Sequence, residues 1–227
     1  MKQINKYIVE RLHINKDIGN HHYNYHPKTK DELKELVKKL IKERGNDADL
    51  NDIDTSAITD MHYMFYKSKF NGDISNWDVS NVKEMGYIFY DSEFTGENGD
   101  ISKWDVSNVT DMEAMFFMSS FNGDISNWNV SNVESMDSMF YDSEFNGDIS
   151  KWDVSNVENM RGIFAKSNFN CNISEWDVSN VKNMRYMFND SKFTGDISKW
   201  DVSNVKDMSY IFDKSPLEKN PPKWYKK

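Results

Sequence analysis

Regularly spaced aspartates are the residues of this 227-residue sequence that could do chemistry. They form two columns of a 24-residue repeat: Asp73, Asp100, Asp124, Asp148 and Asp196 open repeats, and Asp78, Asp105, Asp153, Asp177 and Asp201 follow a tryptophan. Carboxylates in repeated turns can coordinate calcium. They also cap backbone amides, and neighbouring like charges ~4.8 Å apart cost only about 1 kcal/mol in water. Because Asn129 and Asn172 interrupt the columns and the glycine-rich nonapeptide of calcium-binding repeats is absent, we expect turn capping, with a calcium-dependent solenoid as a distant alternative.

Three histidines and one cysteine are the other groups that could form a site. His21, His22 and His26 have the composition of a weak metal site, but no cysteine or carboxylate spacing completes it, so we expect a polar linker. Cys171 has no basic or histidine neighbour in the sequence, and we assign it no reactivity. No nucleophile is combined with a base, and no phosphate loop is present. The sequence therefore predicts a protein that is not an enzyme and has no catalytic residue, metal site or cofactor.

These residues belong to an internal repeat whose unit at 124–147 reads DISNWNVSNVESMDSMFYDSEFNG. Seven tryptophans recur at intervals of 24 residues, except for a first interval of 27 that contains the inserted residues 97–99. A fixed period of roughly 20 to 50 residues is typical of arrays in which each unit packs on its neighbours, so we expect the tryptophans in the core rather than on a sugar-binding face. Repeats 1 to 7 begin at Asp49, Asp73, Asp100, Asp124, Asp148, Asn172 and Asp196.

Each repeat combines two periodicities. Trp-Asp-Val alternates as a strand does, whereas Val133, Met136, Met139 and Phe140 follow the spacing of a helix. The sequence therefore predicts an α/β repeat solenoid in which every coil pairs a short parallel strand with a short helical turn. It leaves open whether the strand lies on Trp-Asp-Val alone or also on Val-x-x-Met.

The flanks are expected to close the two ends of the solenoid. Residues 1–48 are predicted to form an N-terminal helical cap, 49–219 the seven-repeat solenoid, and 220–227 a truncated C-terminal repeat. The first helix of the cap starts near Lys2, with one apolar face formed by Ile4, Ile8 and Leu12.

A second helix of the cap has clear start and stop signals. Thr29 and Glu32 have the spacing of a capping box, and Gly45 is placed to end the helix. Its apolar stripe consists of Leu33, Leu36, Val37, Leu40 and Ile41. Because such a stripe needs a partner, we expect it to cover the first repeat.

Charge is distributed unevenly along the chain. Residues 1–48 hold 11 Lys and Arg against 7 Asp and Glu, whereas the remainder holds 17 against 30. Because contacts to phosphate need Lys and Arg, an acidic array is not expected to bind nucleic acid. The sequence lacks an apolar run of ~18 residues, a secretory signal and a lipid-modified cysteine, so no membrane insertion is expected and a cytoplasmic or virion-associated location is favoured over secretion.

The unit FNGDISxWDVSNVxxMxxMFxxS resembles the repeats of BspA-like leucine-rich-repeat surface proteins, and the resemblance covers residues 49–227. It implies a right-handed, leucine-rich-repeat-like solenoid that serves in adhesion or protein binding. The segment PKTKDEL at 27–33, together with the opening residues, is similar to short proteins encoded by phages of gut bacteria. This second resemblance implies a phage factor that binds a host protein.

The columns that differ between repeats are where we look for function, because uniform columns build the scaffold. Aromatic side chains crowd two such columns in repeats 1 to 4, and Tyr and Met are enriched in binding patches. The predicted contact surface consists of Tyr63, Tyr66, Tyr87, Tyr90, Phe117, Met118 and Tyr141. The alternative is that these rings only stack along the array and shield its Met and Phe core. The inserted residues 97–99 are a second candidate contact.

The sequence thus predicts a non-enzymatic protein–protein interaction module, adhesin-like or a phage factor, that binds a protein partner through the aromatic strip. A structural component of a virion or other assembly, which would self-associate, is the alternative. The two differ in what they bind: a heterologous protein or further copies of the same chain.

Overall fold

The computed structural model describes residues 23–226 and contains two helices, α1 at Lys30–Arg44 and a 3-10 helix at Pro216–Glu218. Within this range, parallel pairing consists of single-residue bridges, and no longer strand is formed. Neither helix is both long and apolar enough to cross a membrane. The helix predicted near Lys2 lies outside the described residues.

The predicted start and end of α1 are confirmed, with one difference at the cap. Thr29 Oγ1 accepts a hydrogen bond from the Glu32 amide at 3.2 Å. The Glu32 carboxylate accepts from the amide of Lys28 at 2.7 Å, not from that of Thr29. Gly45 ends the helix with a φ of 93°, and its amide donates to Ile41 O at 2.8 Å. The buried side chains of the stripe, which join the hydrophobic cluster of the repeats, are Leu33, Val37 and Leu40.

Residues 24–26, which the sequence analysis assigns to a linker, are paired with repeat 1. Tyr25 forms a parallel bridge with Ile53, and the Asp54 amide donates to Tyr25 O at 2.8 Å. The segment therefore satisfies backbone groups of the first repeat that have no preceding repeat to bond.

Successive repeats are joined by backbone hydrogen bonds that run in both directions, and the Lys83 amide, for example, donates to Thr59 O of the preceding repeat at 2.9 Å. The amides of Met61 and Phe65 donate to Glu84 O and Ile88 O of the next repeat, each at 2.9 Å. One series of parallel bridges links, in order, Asp60, Glu84, Asp111, Ser135, Asn159, Asn183 and Asp207, and one further bridge pairs Asp49 with Asp73. Each residue of the series directly precedes the first Met of its repeat, so the pairing that recurs along the array lies on Val-x-x-Met.

The strand predicted on Trp-Asp-Val is not formed. Turns flank this segment, because the Trp77 amide donates to Ile74 O at 3.1 Å and the Val82 amide donates to Val79 O at 2.9 Å. A side chain instead makes the link to the preceding repeat: the Trp77 indole Nε1 donates to Leu50 O at 3.0 Å. Two turns so close together leave no extended run to pair.

The predicted helical turn is a series of tight turns. The Met64 amide donates to Met61 O at 3.2 Å, three residues back rather than four. Two positions in each repeat have positive φ, as at Tyr63 (60°) and Lys67 (51°). Because a left-handed residue stops a right-handed helix, the helical spacing of the side chains does not extend into a helix.

The core consists of columns of identical residues, as the sequence predicts. The rings of Phe65, Phe89 and Phe116 stack at successive centroid distances of 5.6 Å. The tryptophans from Trp77 to Trp200 are only 3 to 5% exposed. The Ile, Val and Met columns of repeats 2 to 6 are buried as well. Every repeat therefore covers the apolar face of its neighbour.

Candidate functional site

The structure places six of the seven predicted contact residues on consecutive repeats in two adjacent columns, and the seventh, Met118, directly follows Phe117 in the chain. We call this set the aromatic surface; it consists of Tyr63, Tyr66, Tyr87, Tyr90, Phe117, Met118 and Tyr141. The rings of its longer column stack from repeat 1 to repeat 4 at centroid distances of 4.9, 4.5 and 4.5 Å, in the order Tyr66, Tyr90, Phe117 and Tyr141. The six rings therefore lie together; that the seven residues bind a partner stays a prediction.

The shorter column of the aromatic surface contains Tyr63 and Tyr87, stacked at 4.7 Å. The two columns are joined by an edge contact between Tyr63 and Tyr66, with 5.4 Å between ring centroids, and by the mutually tilted rings of Tyr87 and Tyr90, at 5.7 Å. Burial raises the pKa of the Tyr87 hydroxyl, and its hydrogen bond to Glu113 raises it further. Tyr87 therefore remains a neutral donor at physiological pH.

Solvent reaches this surface mainly at Tyr63, Tyr66 and Met118, which are 39, 40 and 46% exposed. Tyr87 and Tyr90 are half-buried because they lie between stacked neighbours. The sequence-based alternative, in which the rings stack and cover the core, describes part of what these side chains do. It does not account for the exposed faces.

The backbone under the shorter column is in a conformation that tyrosine rarely adopts. Tyr63 and Tyr87 have φ of 60° and 59°. Ala114, Ser138 and Gly162 occupy the same position in repeats 3 to 5 with φ of 50°, 56° and 58°. A left-handed residue costs roughly 1–2 kcal/mol unless it is glycine. The fold therefore accepts small residues at this position and does not need tyrosine.

Lysines lie against both ends of the longer column. Lys67 Nζ is 5.5 Å from the centroid of the Tyr66 ring, and Lys166 Nζ is 5.4 Å from that of Tyr141. A hydrogen bond with Tyr141 raises the pKa of Lys166. Positive charge thus flanks an apolar strip on an otherwise acidic array.

A notch lies next to the aromatic surface at repeat 5, where small residues replace the aromatic ones. Repeat 5 has Gly162 and Ala165 at the two aromatic positions. The notch has a volume of about 190 Å³ and is lined by Ser138, Tyr141, Arg161, Gly162, Tyr186 and Asn189. It has room for a side chain from another molecule.

A second aromatic pair, which was not predicted from the sequence as a contact, begins at the far side of the notch. Tyr186 and Tyr210 stack at 5.1 Å, and the Arg185 guanidinium lies 4.9 and 6.0 Å from their ring centroids. Tyr210, at 55% exposure, exceeds each of the exposed residues of the aromatic surface. The sequence does contain a signal for this pair, because Tyr186 and Tyr210 occupy the same repeat position as Tyr63.

The aspartate columns cap turns, as the sequence predicts. Asp78 Oδ1 accepts hydrogen bonds from the amide and hydroxyl of Ser80 at 3.0 and 2.6 Å. Asn129 Oδ1 accepts the same two bonds from Ser131, at 3.2 and 2.7 Å, without a charge. Hydrogen bonds from the serine two residues on hold the pKa of Asp105 below its usual range. These contacts explain the ladder without calcium.

Of the other candidate residues, His26 and Cys171 lie within residues 23–226, and they contact different parts of the array. His26 Nδ1 lies 3.0 Å from Asp54 Oδ2, whereas His21 and His22 lie outside the described residues. Cys171 Sγ lies 3.1 Å from Asn146 O, and burial raises the pKa of its thiol.

The inserted residues 97–99 are held by the preceding turn: Asn98 Nδ2 donates to Asn71 O at 2.9 Å. Glu97 and Asn98 are exposed. The insertion stays a candidate contact.

The structure also brings together three side chains that the sequence analysis did not single out. His62, Glu84 and Asp111 come from repeats 1, 2 and 3, and a potential ligand atom from each lies within 4.8 Å of the other two. Each occupies a position that changes from repeat to repeat, and sequence spacing alone does not show that the His62 ring reaches across repeat 2.

The stacked 24-residue units and their shared core columns define a repeat protein. The chain belongs to the family described as "Mycoplasma protein of unknown function, DUF285", which it matches over residues 32–144 and again over 142–225. This family is associated with BspA-like surface proteins, and the match is consistent with that relationship. No curated protein and no solved structure matches the sequence.

Proposed function

We propose that this chain is a BspA-like, right-handed, leucine-rich-repeat-like solenoid that acts as a non-enzymatic protein–protein interaction module. Its contact region is the aromatic surface on repeats 1 to 4. The partner is a protein that presents apolar side chains, one of which enters the notch at Gly162.

The observation that carries this proposal is the left-handed conformation of Tyr63 and Tyr87, which Tyr186 and Tyr210 share, together with the contacts of Tyr63 and Tyr87 to the longer column of stacked rings. Small residues hold the same conformation in repeats 3 to 5, so the scaffold gains no backbone stability from a tyrosine there. Ring stacking returns about 0.5–1.5 kcal/mol per pair and offsets part of the cost. An exposed aromatic residue kept at a strained position is the arrangement found where the side chain contacts a partner.

The shape and charge of the region support a protein partner over other ligands. Stacked rings at close spacing form a flat apolar strip with little freedom to lose on binding. Two lysines at its ends suit a partner that carries carboxylates beside its apolar residues, while the acidic array around the strip disfavours nucleic acid.

Affinity capture with matched variants tests the proposal. The test variant combines Tyr63→Ala, Tyr87→Ala and Phe117→Ala. The control is Tyr210→Ala, which removes an exposed tyrosine of the same column that lies outside the aromatic surface and does not line the notch. Alanine is compatible with the backbone because Ala114 has the same conformation. Circular dichroism and a thermal melt establish that both variants fold.

We expect wild type and the control to capture the same heterologous protein from a lysate of the source cells, and the test variant to lose it. Truncating aromatic anchors costs about 2 kcal/mol or more each, so the affinity should fall at least about 30-fold. Equal capture by both variants, or capture of nothing but further copies of the chain, would show the aromatic surface not to be the binding site.

The C-terminal end of the array favours a second candidate, a structural or assembly component. In repeat 6 the Tyr186 amide donates to Ser209 O at 3.0 Å. The amides of Met208, Tyr210 and Phe212 in repeat 7 have no hydrogen-bond partner within residues 23–226. Such an open edge can pair with another chain. Sedimentation equilibrium tests this: a mass that rises with concentration supports assembly, and a constant monomer mass eliminates it.

A further inference from the structure

We propose that His62, Glu84 and Asp111 form a binding site for a divalent transition-metal cation of the Zn²⁺ class. The three half-buried side chains come from three consecutive repeats, and one ligand atom of each lies within 4.8 Å of the others. The parallel bridge between Glu84 and Asp111 places both carboxylates on one face of the array. This site is separate in chemistry from the proposed protein contact.

Gly86 provides the space that the His62 ring occupies. A Cβ atom at residue 86 would lie 2.6 Å from His62 Nε2, well inside contact distance. The equivalent position in repeats 3 to 7 holds Glu113, Asp137, Arg161, Arg185 and Ser209, so glycine is a departure from the pattern. The ring also contacts Tyr87, with 5.9 Å between centroids. His62 can therefore extend over repeat 2 toward both carboxylates.

The ligand atoms of this cluster are not engaged by other groups. Among residues 23–226, neither the ring nitrogens of His62 nor the carboxylate of Glu84 forms a hydrogen bond or an ion pair. Asp111 uses Oδ1 to accept from the Glu113 amide at 2.8 Å, which leaves Oδ2 available. Two half-buried carboxylates side by side repel each other unless a cation lies between them.

Acidic residues next to this cluster are paired with lysine or arginine side chains, whereas no such pair is formed by Glu84 or Asp111 within residues 23–226. Asp60, the preceding bridge residue, pairs with Lys30 Nζ at 3.0 Å. Asp137, in repeat 4, lies 3.4 Å from Arg161 Nη1. The bridge positions of repeats 4 to 6 are neutral, with Ser135, Asn159 and Asn183. Within residues 23–226, Glu84 and Asp111 are thus bridge residues whose carboxylates have no cationic partner, and the His62 ring lies beside both.

One imidazole nitrogen and two carboxylate oxygens form a ligand set that suits Zn²⁺ better than the all-oxygen preference of Ca²⁺ or Mg²⁺. Bonds of about 2.0–2.2 Å hold ligands within roughly 4 Å of one another, so a small rotation of the side chains from their present spacing is enough. Three protein ligands leave one tetrahedral position for water or another group.

Isothermal titration of the full chain with zinc chloride tests the site, with His62→Gln and Glu84→Gln as test variants. The control variant carries His21→Gln, His22→Gln and His26→Gln, which removes the other histidine cluster. Loss of an outer-shell partner already costs about 10- to 100-fold in metal affinity, so loss of a direct ligand should cost at least about 100-fold. We expect one equivalent of zinc to bind to wild type and to the control.

Gly86→Ala provides a second test that keeps all three ligands. The added methyl group displaces the His62 ring, which is flexible at its far end, so the variant should fold and bind zinc more weakly. The proposal is overturned if wild type binds no zinc, if His62→Gln binds it as wild type does, or if the control loses it. Visible absorption of the cobalt-substituted protein, present in wild type and absent in His62→Gln, is the independent measurement.

Discussion

Trp128→Phe is expected to destabilise the middle of the array by about 3 kcal/mol. Trp128 is 4% exposed, and its indole Nε1 donates a hydrogen bond to Ile101 O at 3.0 Å. Phenylalanine keeps an aromatic ring in the core but cannot donate this bond. It also leaves unfilled part of the space of the outer, six-membered ring.

Two contributions give the magnitude. Ile101 O still accepts from the Trp104 amide at 3.1 Å, so losing its second bond costs about 1 kcal/mol rather than the larger penalty of an unpaired carbonyl. Removing two to three buried ring atoms costs roughly 2 kcal/mol at about 0.8 kcal/mol each. The sum is a large share of the typical 5–15 kcal/mol of a folded domain.

Urea unfolding followed by circular dichroism measures this change, with Trp224→Phe as the matched control. Trp224 makes the same bond, to Ile197 O at 2.8 Å, but is only partly buried at the end of the array. We expect a loss of about 1 kcal/mol there, because less apolar area is removed from the core. A loss below about 1 kcal/mol for Trp128→Phe, or equal losses for the two variants, would refute the role assigned to the column.

Three further predictions concern the turns. Gly72→Ala should lower the free energy of unfolding by about 2 kcal/mol or more, because the added Cβ would lie 2.1 Å from Ala48 O. In the same thermal melts Gly147→Ala should cost less, because the nearest backbone atom to its added Cβ is 3.8 Å away. Serine hydrogen bonds lower the folded-state pKa of Asp177 and Asp201, so their carboxylates stabilise the fold above about pH 4 and lose this effect as pH falls through the lower folded values. Replacing both by Asn should leave the melting temperature at pH 7 nearly unchanged and flatten its decline in acid; an unaltered decline would contradict the capping argument. Calcium should not raise the melting temperature, and EDTA should not lower it in calcium-containing buffer, because the Asp oxygens already accept turn hydrogen bonds.

The sequence was sufficient to predict the columns of the core and the boundaries of α1. A side chain repeated every 24 residues meets its own copies when the repeats stack, so Phe65, Phe89 and Phe116 could be placed together without knowing the backbone. Thr29 and Gly45 act within a few residues of themselves, and such local signals do not depend on tertiary contacts.

The backbone between those columns could not be predicted in the same way. Trp-Asp-Val alternates like a strand, but the alternation comes from a turn on each side of it. The left-handed conformation of Tyr63 and Tyr87 has no local signal, since only Gly162 in that column is the residue expected there. Hydrogen bonds to the next repeat, such as that from the Tyr87 amide to Glu113 O at 2.8 Å, hold this conformation.

Differences between the repeats show which residues the fold does not require. Repeats 3 to 5 build the same backbone as repeats 1 and 2 with small residues in place of Tyr63 and Tyr87. Repeats 4 to 6 form the same bridges with neutral residues in place of Glu84 and Asp111. Since the scaffold forms without these side chains, the placement of Tyr63, Tyr87, Glu84 and Asp111 together, beside the space left by Gly86, supports the proposal that this end of the array is a binding site.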